Sequence, residues 1–269
     1  MRVSKSGTKD SCEWRPEGNA GPFGGFSQRV ALVTGGASNI GRGTALALAE
    51  CGADVVVTTM SNRKGLSETV KRLRELNPVC SGSLCDIANP ADVQRLVSEV
   101  RGTFGRIDIL VNAAVMRCPD PIEEIDFDVW EGNLAVNLTG PFLLAQNILP
   151  LMQARSWGRV VNFSGIAAYL GHGPGKAAVK QGVVGLTRGI AADYGRYGIT
   201  ANCVVPGLVD TDRSVVETRK KECMPHPDQA IARMASIEEV ASLVVYLASP
   251  AAAFVTGQTV HVNGGRYFQ

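Results

Sequence analysis

The stretch ALVTGGASNIGRGTALALAE, residues 31–50, holds an apolar run, a glycine-rich turn and an amphipathic helical pattern, in that order. Glycine is needed in such a turn where the backbone takes a positive φ or approaches a phosphate closely. The helix that follows begins with unpaired N–H groups, which bind the pyrophosphate of a dinucleotide. The order strand, turn, helix therefore predicts the first unit of a nucleotide-binding sheet.

From Gln28 onward, short β-branched runs alternate with longer helical patterns. Strands flanked by helices pair in parallel through right-handed crossovers, with helices on both faces of the sheet. We therefore predict one α/β domain over 28–269, a three-layer doubly wound Rossmann fold with a parallel sheet of about seven strands. Strands are expected at 29–34, 53–59, 79–85, 106–112, 158–164, 198–205 and 258–262, and helices at 41–51, 65–76, 90–103, 127–153, 176–196 and 237–248.

Composition narrows the class of protein further. The 269 residues are 45% hydrophobic, with a formal net charge of +2. So small a positive charge indicates no basic surface that would bind nucleic acid or an anionic membrane. No run resembles a signal peptide, and none is expected to reach the length of a transmembrane helix. The seven cysteines and three histidines show no zinc-binding spacing, and an odd cysteine count indicates a reducing, cytoplasmic location.

Two segments depart from the alternating pattern. Residues 1–27 are rich in Gly, Ser, Pro and charge, which is typical of a flexible tail. Residues 206–236 contain no clear strand or amphipathic helix, and a loop of that length inside a compact domain usually has a function. We expect this segment to be a lid over the substrate, the alternative being a surface helix with no ligand role.

The glycine-rich turn resembles that of the short-chain dehydrogenase/reductase family, which reads TGxxxGxG. Gly35 and Gly41 match its first and last glycines, and Asn39 occupies the middle glycine position. Because asparagine tolerates the left-handed conformation, we expect the turn to be preserved. The resemblance covers nearly all of 28–269 and implies a nicotinamide-dependent oxidoreductase on the Rossmann fold.

Other motifs resemble the cofactor-binding segments of the same family. CDIANPADV implies that Asp86 contacts the adenine, and LVNAAV keeps Asn112 but has Ala113 where the family has a second asparagine. VVPGLVDTD matches the segment around the nicotinamide. The residues expected to contact the cofactor are Gly35, Ser38, Asn39, Ile40, Gly41, Ser61, Asn62, Arg63, Asp86, Ile87, Asn112, Ala113, Lys180, Pro206, Gly207, Val209 and Thr211.

The tip of the second strand, VVVTTMSNRKG at residues 55–65, bears on the choice between NAD and NADP. In this fold an acidic residue at the tip binds the ribose hydroxyls and repels a 2′-phosphate. Thr59 stands where that acid would lie, and Ser61, Asn62 and Arg63 add hydrogen-bond donors. The exchange favours a phosphate, so NADP is predicted, with NAD as the alternative if Arg63 and Lys64 are only solvated charges.

The stretch VNFSGIAAYLGHGPGKAAVKQGVVGLTRG, residues 161–189, covers the catalytic motif that the resemblance implies: a serine, then Tyr-x-x-x-Lys. GVVGLTRG aligns Lys180 with the lysine, so Lys176 and Gly165 stand at the tyrosine and serine positions. A second register makes Lys176 the lysine and His172 the tyrosine surrogate, but it needs an insertion inside a helix, which is harder to accommodate than a shorter loop. We therefore predict an atypical active site without the usual serine and tyrosine.

Several side chains are candidates to move the proton in such a site. Lys176 and Lys180 lie one helical turn apart and repel each other, so one is expected to titrate below its usual pKa of ~10.4. An amine placed there can act as a general acid towards a carbonyl or form a Schiff base. The resemblance implies that Asn137 holds the lysine through a water. The catalytic residues expected are Asn137, Ser164, Tyr169, His172, Lys176 and Lys180.

These residues predict an oxidoreductase that prefers NADPH and interconverts a carbonyl and an alcohol in a small-molecule substrate. Two alternatives remain: a non-redox isomerase, dehydratase or cyclase that uses the amine of Lys176, and a catalytically inactive nucleotide-binding subunit. Arg117 and Arg213 could steer an anionic substrate or be ordinary surface arginines. The long apolar helical patterns at 127–153 and 176–196, together with the resemblance, imply a homodimer or homotetramer.

Overall fold

The computed structural model describes residues 25–118, 121–211 and 227–268. Within them, seven strands form one parallel sheet in the order 3-2-1-4-5-6-7, which confirms the predicted doubly wound Rossmann fold. The strands are β1 (Val30–Thr34), β2 (Asp54–Thr59), β3 (Ser81–Leu84), β4 (Ile109–Asn112), β5 (Gly158–Phe163), β6 (Ile199–Pro206) and β7 (Thr259–Val262). The helices are α1 (Asn39–Glu50), α2 (Arg63–Leu76), α3 (Pro90–Phe104), α4 (Phe127–Leu134), α5 (Gly140–Gln153), α6 (Ala167–Leu170), α7 (Pro174–Tyr194) and α8 (Ile237–Ala248).

The sheet lies between two layers of helices. On one face α1, α2 and α8 bury side chains such as Leu48, Leu73 and Val244. On the other face α3 and α5 do the same with Leu96 and Ile148, and α7 packs beside them. Both β1 and β4 are buried along their whole length, because strands cover their edges and helices cover their faces.

The winding of the chain reverses next to β1. β2 and β3 lie on one side of it, and β4 to β7 lie on the other. In open α/β sheets a crevice forms at this switch point, outside the carboxyl ends of the strands, and ligands bind there. The turn between β1 and α1 opens onto this crevice.

The folded domain begins before residue 28, which corrects the predicted boundary of the tail. Phe26 is fully buried, and its backbone N–H donates to the carbonyl oxygen of Cys51 at 2.8 Å. Burying a phenylalanine side chain stabilises a fold by about 1.5–3 kcal/mol, so this residue is part of the core. Residues 1–24 of the predicted tail lie outside the described residues.

The predicted lid, 206–236, is described only at its two ends. Val209 pairs with Ala235 in an isolated parallel bridge, and the N–H of Ile231 donates to the carbonyl oxygen of Gly264 at 2.8 Å. Residues 212–226, which include Arg213, lie outside the described residues. The lid therefore stays a prediction.

One helical stretch, Phe127–Gln153, is long and apolar enough to cross a bilayer by length and composition. This corrects the expectation that no stretch reaches that length. Leu144, Ile148 and Met152 of α5 are fully buried within the domain. A helix whose apolar face packs against its own sheet passes the same test of length and composition.

Candidate active site

A cleft of about 540 Å³ lies at the carboxyl ends of β1 to β4 and β6. This volume is within the range of small-molecule and cofactor sites, about 300–1,000 Å³. Thirteen of the seventeen residues predicted to contact a cofactor line it: Gly35, Ser38, Asn39, Ile40, Gly41, Asn62, Asp86, Ile87, Ala113, Pro206, Gly207, Val209 and Thr211. Four others, Ser61, Arg63, Asn112 and Lys180, are not part of the lining.

The glycine-rich turn has the backbone that its sequence predicts. Asn39 adopts φ 49°, the left-handed conformation expected of a residue in the middle glycine position. Gly35 has φ 65°, and a Cβ there would lie 2.8 Å from the backbone of Ala114. A Cβ on Gly41 would collide with the carbonyl oxygen of Gly35. The turn is therefore tight, and only glycine fits at its first and last positions.

The N-terminus of α1 is left open towards a ligand. Its N-cap residue, Ser38, makes no side-chain cap hydrogen bond, and its first turn contains no acidic residue. The first N–H groups of a helix then remain available, together with the positive end of the helix dipole. Asn112, at the end of β4, also has a buried Oδ1 without a hydrogen-bond partner among the described residues. The open N-terminus of α1 fits the pyrophosphate of a dinucleotide.

The tip of β2 forms the wall of the cleft that distinguishes NAD from NADP in this fold. Thr59, Met60 and Asn62 line it, and Asn62 also caps α2 by accepting a hydrogen bond from the N–H of Gly65 at 3.0 Å. Among the described lining residues, Asp86 is the one with an acidic side chain. No carboxylate therefore stands at the β2 tip in the described lining.

None of the six predicted catalytic side chains is part of the described lining of the cleft. Lys180 lies behind it, where its Nζ donates to the carbonyl oxygen of Phe163 at 3.0 Å. Burial lowers the pKa of the Lys180 amine from 10.5 to about 8. Ser164 is also buried, and its hydroxyl donates to the backbone carbonyl of Lys180 at 2.9 Å, so this serine supports the helix.

Gly165 lies directly beside the Lys180 side chain. A Cβ built on it would be 3.8 Å from the Cγ and 4.0 Å from the Cε of Lys180, which is ordinary van der Waals contact. A Cβ atom would therefore fit at residue 165, and with glycine there this space is not filled by a side chain.

Tyr169 and His172 have different surroundings from each other. The ring of Tyr169 packs edge-on against His261, with centroids 4.6 Å apart, and also contacts Tyr267. Burial raises the pKa of the Tyr169 hydroxyl. His172 is exposed in the loop between α6 and α7, and its backbone N–H donates to Ala167. The structure thus places Tyr169 against the C-terminal strand β7 and its following residues.

Asn137 lies in a five-residue π-helical segment, Ala135–Thr139, that joins α4 to α5. Its side chain is buried, and its Nδ2 donates to the carbonyl oxygen of Met116 at 2.8 Å and to Asn133 Oδ1 at 2.7 Å. Its Oδ1 is buried without a hydrogen-bond partner among the described residues. Such an atom is costly to bury unless a water or a ligand group donates to it.

Sequence reasoning missed a buried polar chain behind the cleft. Asn112 Nδ2 donates to Asn162 Oδ1 at 2.7 Å, and Asn162 Nδ2 donates to the hydroxyl of Thr187 at 2.9 Å. The chain ties β4 to β5 and then to α7. Two polar residues inside otherwise apolar strands, Asn112 in ILVN and Asn162 in RVVNF, are the signal that could have revealed it.

Comparisons with known proteins decide the family. A family model described as enoyl-(acyl carrier protein) reductase matches residues 35–266. The chain belongs to the short-chain dehydrogenase/reductase family. It is 38% identical to subunit BbsD of (2S)-((R)-hydroxy(phenyl)methyl)succinyl-CoA dehydrogenase from Thauera aromatica, over 90% of this chain and 98% of the relative. It is 32% identical to the 3-oxoacyl-(acyl-carrier-protein) reductase FabG of Vibrio cholerae, over 89% and 97%.

A solved structure agrees with these relatives. An actinorhodin polyketide ketoreductase variant, crystallised with NADPH, has a TM-score of 0.82 and 33% identity, covering 90% of this chain and 99% of that chain. The protein is therefore an oxidoreductase of the short-chain dehydrogenase/reductase family.

Proposed function

We propose that the protein prefers NADPH and interconverts a carbonyl and an alcohol, with Lys176 as the proton donor in place of a tyrosine. The observation that carries the proposal is the preserved turn: Asn39 takes the left-handed conformation of the glycine it replaces, so the cofactor cleft keeps its shape. The turn supports the binding of a dinucleotide, whereas the choice of NADPH depends on Thr59 and the choice of proton donor on the candidate residues around α7.

The described residues are suited to holding a nicotinamide dinucleotide. The first turn of α1 would bind the pyrophosphate, Asp86 would lie by the adenine, and Pro206 and Gly207 would lie by the nicotinamide. The missing carboxylate at Thr59 favours a ribose with a 2′-phosphate. When bound, the nicotinamide supplies or accepts the hydride, and the protein orients the substrate and moves a proton.

Lys176 is the best placed of the candidate proton donors. Tyr169 packs against His261 and Tyr267, and His172 is exposed in a loop. Lys176 is half-buried in the first turn of α7, one turn before Lys180, and Gly175 beside it contacts Cys118 just beyond β4. Lys180, with a pKa of about 8, would hold the nicotinamide ribose, and Asn137 would connect that lysine to solvent.

Two observations support a substrate class: the names of two relatives and the position of Arg117. The names of both relatives specify acyl groups carried on coenzyme A or on an acyl carrier protein. Arg117 is exposed on the lining of the cleft, where a guanidinium can bind a carboxylate or a phosphate. We propose an oxoacyl or hydroxyacyl substrate with an anionic group.

The first experiment follows nicotinamide fluorescence while the protein is titrated with NADPH and with NADH, then measures turnover on acetoacetyl-CoA and cyclohexanone. Lys176→Met should lower kcat at least 100-fold, within the range of general acid–base catalysis, and leave the Kd of NADPH within twofold. Lys71→Met, an exposed lysine on α2, is the matched control. Absence of binding to either nucleotide would overturn the proposed NADPH-dependent interconversion of a carbonyl and an alcohol, and unchanged turnover in Lys176→Met would remove Lys176 from the mechanism.

A second candidate function is non-redox chemistry through a lysine amine. The observation in its favour is the low pKa of Lys180, about 8, which makes a neutral amine accessible near physiological pH. Borohydride reduction in the presence of a ketone, followed by peptide mass spectrometry, tests it. A stable adduct on Lys176 or Lys180 supports Schiff-base chemistry, whereas an unmodified peptide excludes it.

A further inference from the structure

Asn133, in the last turn of α4, is a buried polar side chain with no part in the chemistry described above. It is 1% exposed, and its Nδ2 donates to the carbonyl oxygen of Gly175 at 2.9 Å. Its Oδ1 accepts from Asn137 Nδ2 at 2.7 Å. An amide is costly to bury unless both of its ends are paired, and here both are.

The amide pair connects the cleft to α7. Asn137 Nδ2 also donates to the carbonyl oxygen of Met116 at 2.8 Å, and Met116 lines the cleft. Hydrogen bonds therefore run from the cleft wall through Asn137 and Asn133 to Gly175, the residue directly before Lys176. The connection is made by side chains on α4 and on the π-helical segment after it.

The first turn of α7 depends on contacts of this kind. Its N-cap residue, Gly173, has φ 65° and has no side chain with which to cap the helix. Gly175 packs so closely on Cys118 that a Cβ there would lie 2.6 Å from the sulfur. The backbone of this turn therefore packs directly against Cys118, which follows β4. Asn133 donates to the carbonyl oxygen of Gly175, the same residue that makes this contact.

We infer that Asn133 is a positioning residue, which holds the first turn of α7, and with it Lys176, in place against the residues that follow β4. The inference rests on the proposed role of Lys176 as proton donor. Only a side chain that donates and accepts at once can bridge Asn137 and Gly175. A leucine of similar size does neither, and an ionised aspartate keeps the acceptor but loses the donor.

The test compares Asn133→Leu with Asn147→Leu in the full-length protein. Asn147 is the matched control, because its Nδ2 also donates to a backbone carbonyl, that of Leu143 at 2.8 Å within α5, and this hydrogen bond is not part of the path from Met116 to Gly175. Asn133→Leu should lower kcat on acetoacetyl-CoA at least tenfold and leave the Kd of NADPH within twofold. The control should leave both within twofold.

A double variant separates positioning from a general loss of stability. If Asn133 acts through Lys176, then Asn133→Leu combined with Lys176→Met should be no slower than Lys176→Met alone. Losses that multiply would show that Asn133 acts independently and would overturn the inference. If Asn133→Leu does not fold, Asn133→Asp keeps the shape and should show the same pattern above the pKa of its carboxyl.

Hydrogen exchange tests the placement without any need for turnover. The amides of residues 176–180 should exchange at least tenfold faster in Asn133→Leu than in wild type, and the control should not change them. Equal exchange in all three proteins overturns the inference. If Lys176→Met leaves turnover unchanged while exchange still accelerates, the proposed proton donor fails and the positioning of the turn stands.

Discussion

At the scale of single residues, Lys180 is a buried amine held by one carbonyl. Its Nζ donates to the backbone oxygen of Phe163, and burial lowers its pKa from 10.5 to about 8. The folded protein therefore releases this proton at a lower pH than the unfolded chain does. Between those two values the unfolded state binds more protons, and stability must rise with pH.

We expect the free energy of unfolding to rise between pH 8 and pH 10.5, by at most about 3 kcal/mol, relative to a Lys180→Met variant. Below pH 8 the lysine is charged in both states and its burial is a constant cost. The measurement is urea denaturation of both proteins at half-unit pH steps, because the difference cancels the titrating groups that do not interact with Lys180; the Cys203 thiol does interact with it. A difference that stays flat from pH 8 to pH 10.5 would contradict the lowered pKa.

The residues also show which features a sequence can predict. The left-handed Asn39 was predictable because its conformation depends on the few residues of its own turn. The position of Tyr169 was not, because it packs against His261 and Tyr267, about ninety residues further along the chain. Its spacing from the lysines gave no sign of that contact, so the sequence left it among the candidate proton donors.

At the scale of elements, the tip of β2 is the place where a Rossmann fold distinguishes NAD from NADP. We expect Thr59→Asp to raise the Kd of NADPH at least tenfold, because a carboxylate there repels a 2′-phosphate. The Kd of NADH should stay equal or fall, because the same carboxylate accepts from the ribose hydroxyls. Both constants are measured by nicotinamide fluorescence.

Ser61→Asp is the control for that prediction. It adds the same charge two residues later, at an exposed position outside the described lining of the cleft, and should change either Kd less than threefold. Equal losses in the two variants would mean that the effect is a general one of negative charge. A NADPH Kd that does not change in Thr59→Asp would show that the β2 tip does not select the cofactor.

The periodicity of hydrophobic residues predicted most of the strands and helices, but it merged three helical segments into one. The pattern at 127–153 reads as one helix, whereas the structure has α4, the π-helical segment Ala135–Thr139 and α5. Pro141 lies in the first turn of α5 and cannot donate a backbone hydrogen bond, which interrupts the α-helical ladder there. A π-helical turn has one more residue than an α-helical turn, and the spacing of hydrophobic residues does not reveal it. The motif therefore identified Asn137, but the contacts of its side chain within this segment could not be predicted.

At the scale of the whole molecule, two helices present apolar or small residues to the outside. Phe127 on α4 is 69% exposed and Phe142 on α5 is 47% exposed. On α7, Gly185 and Gly189 lie one turn apart, both exposed, and a Cβ on either would meet no atom within 4 Å. Exposed apolar side chains mark surfaces at which proteins associate, and exposed glycines allow a second helix to approach closely. A second copy of the chain can therefore pack against this surface.

We expect the wild-type protein to be a homodimer or homotetramer, and Gly185→Lys to weaken its assembly at least tenfold. The substitution places a charge in the middle of the outer face of α7. It should not harm the folded chain, because the space is open and lysine is a better helix former than glycine by roughly 0.5–1 kcal/mol. Gly102→Lys on α3 is the matched control, since its Cβ would also meet nothing within 4 Å. Native mass spectrometry over a dilution series measures the oligomeric state of the three proteins.

If Gly185→Lys assembles as wild type does, the outer face of α7 is not the interface. If both variants dissociate, added charge alone disrupts the assembly, and the exposed face around Phe142 would then have to be tested by itself.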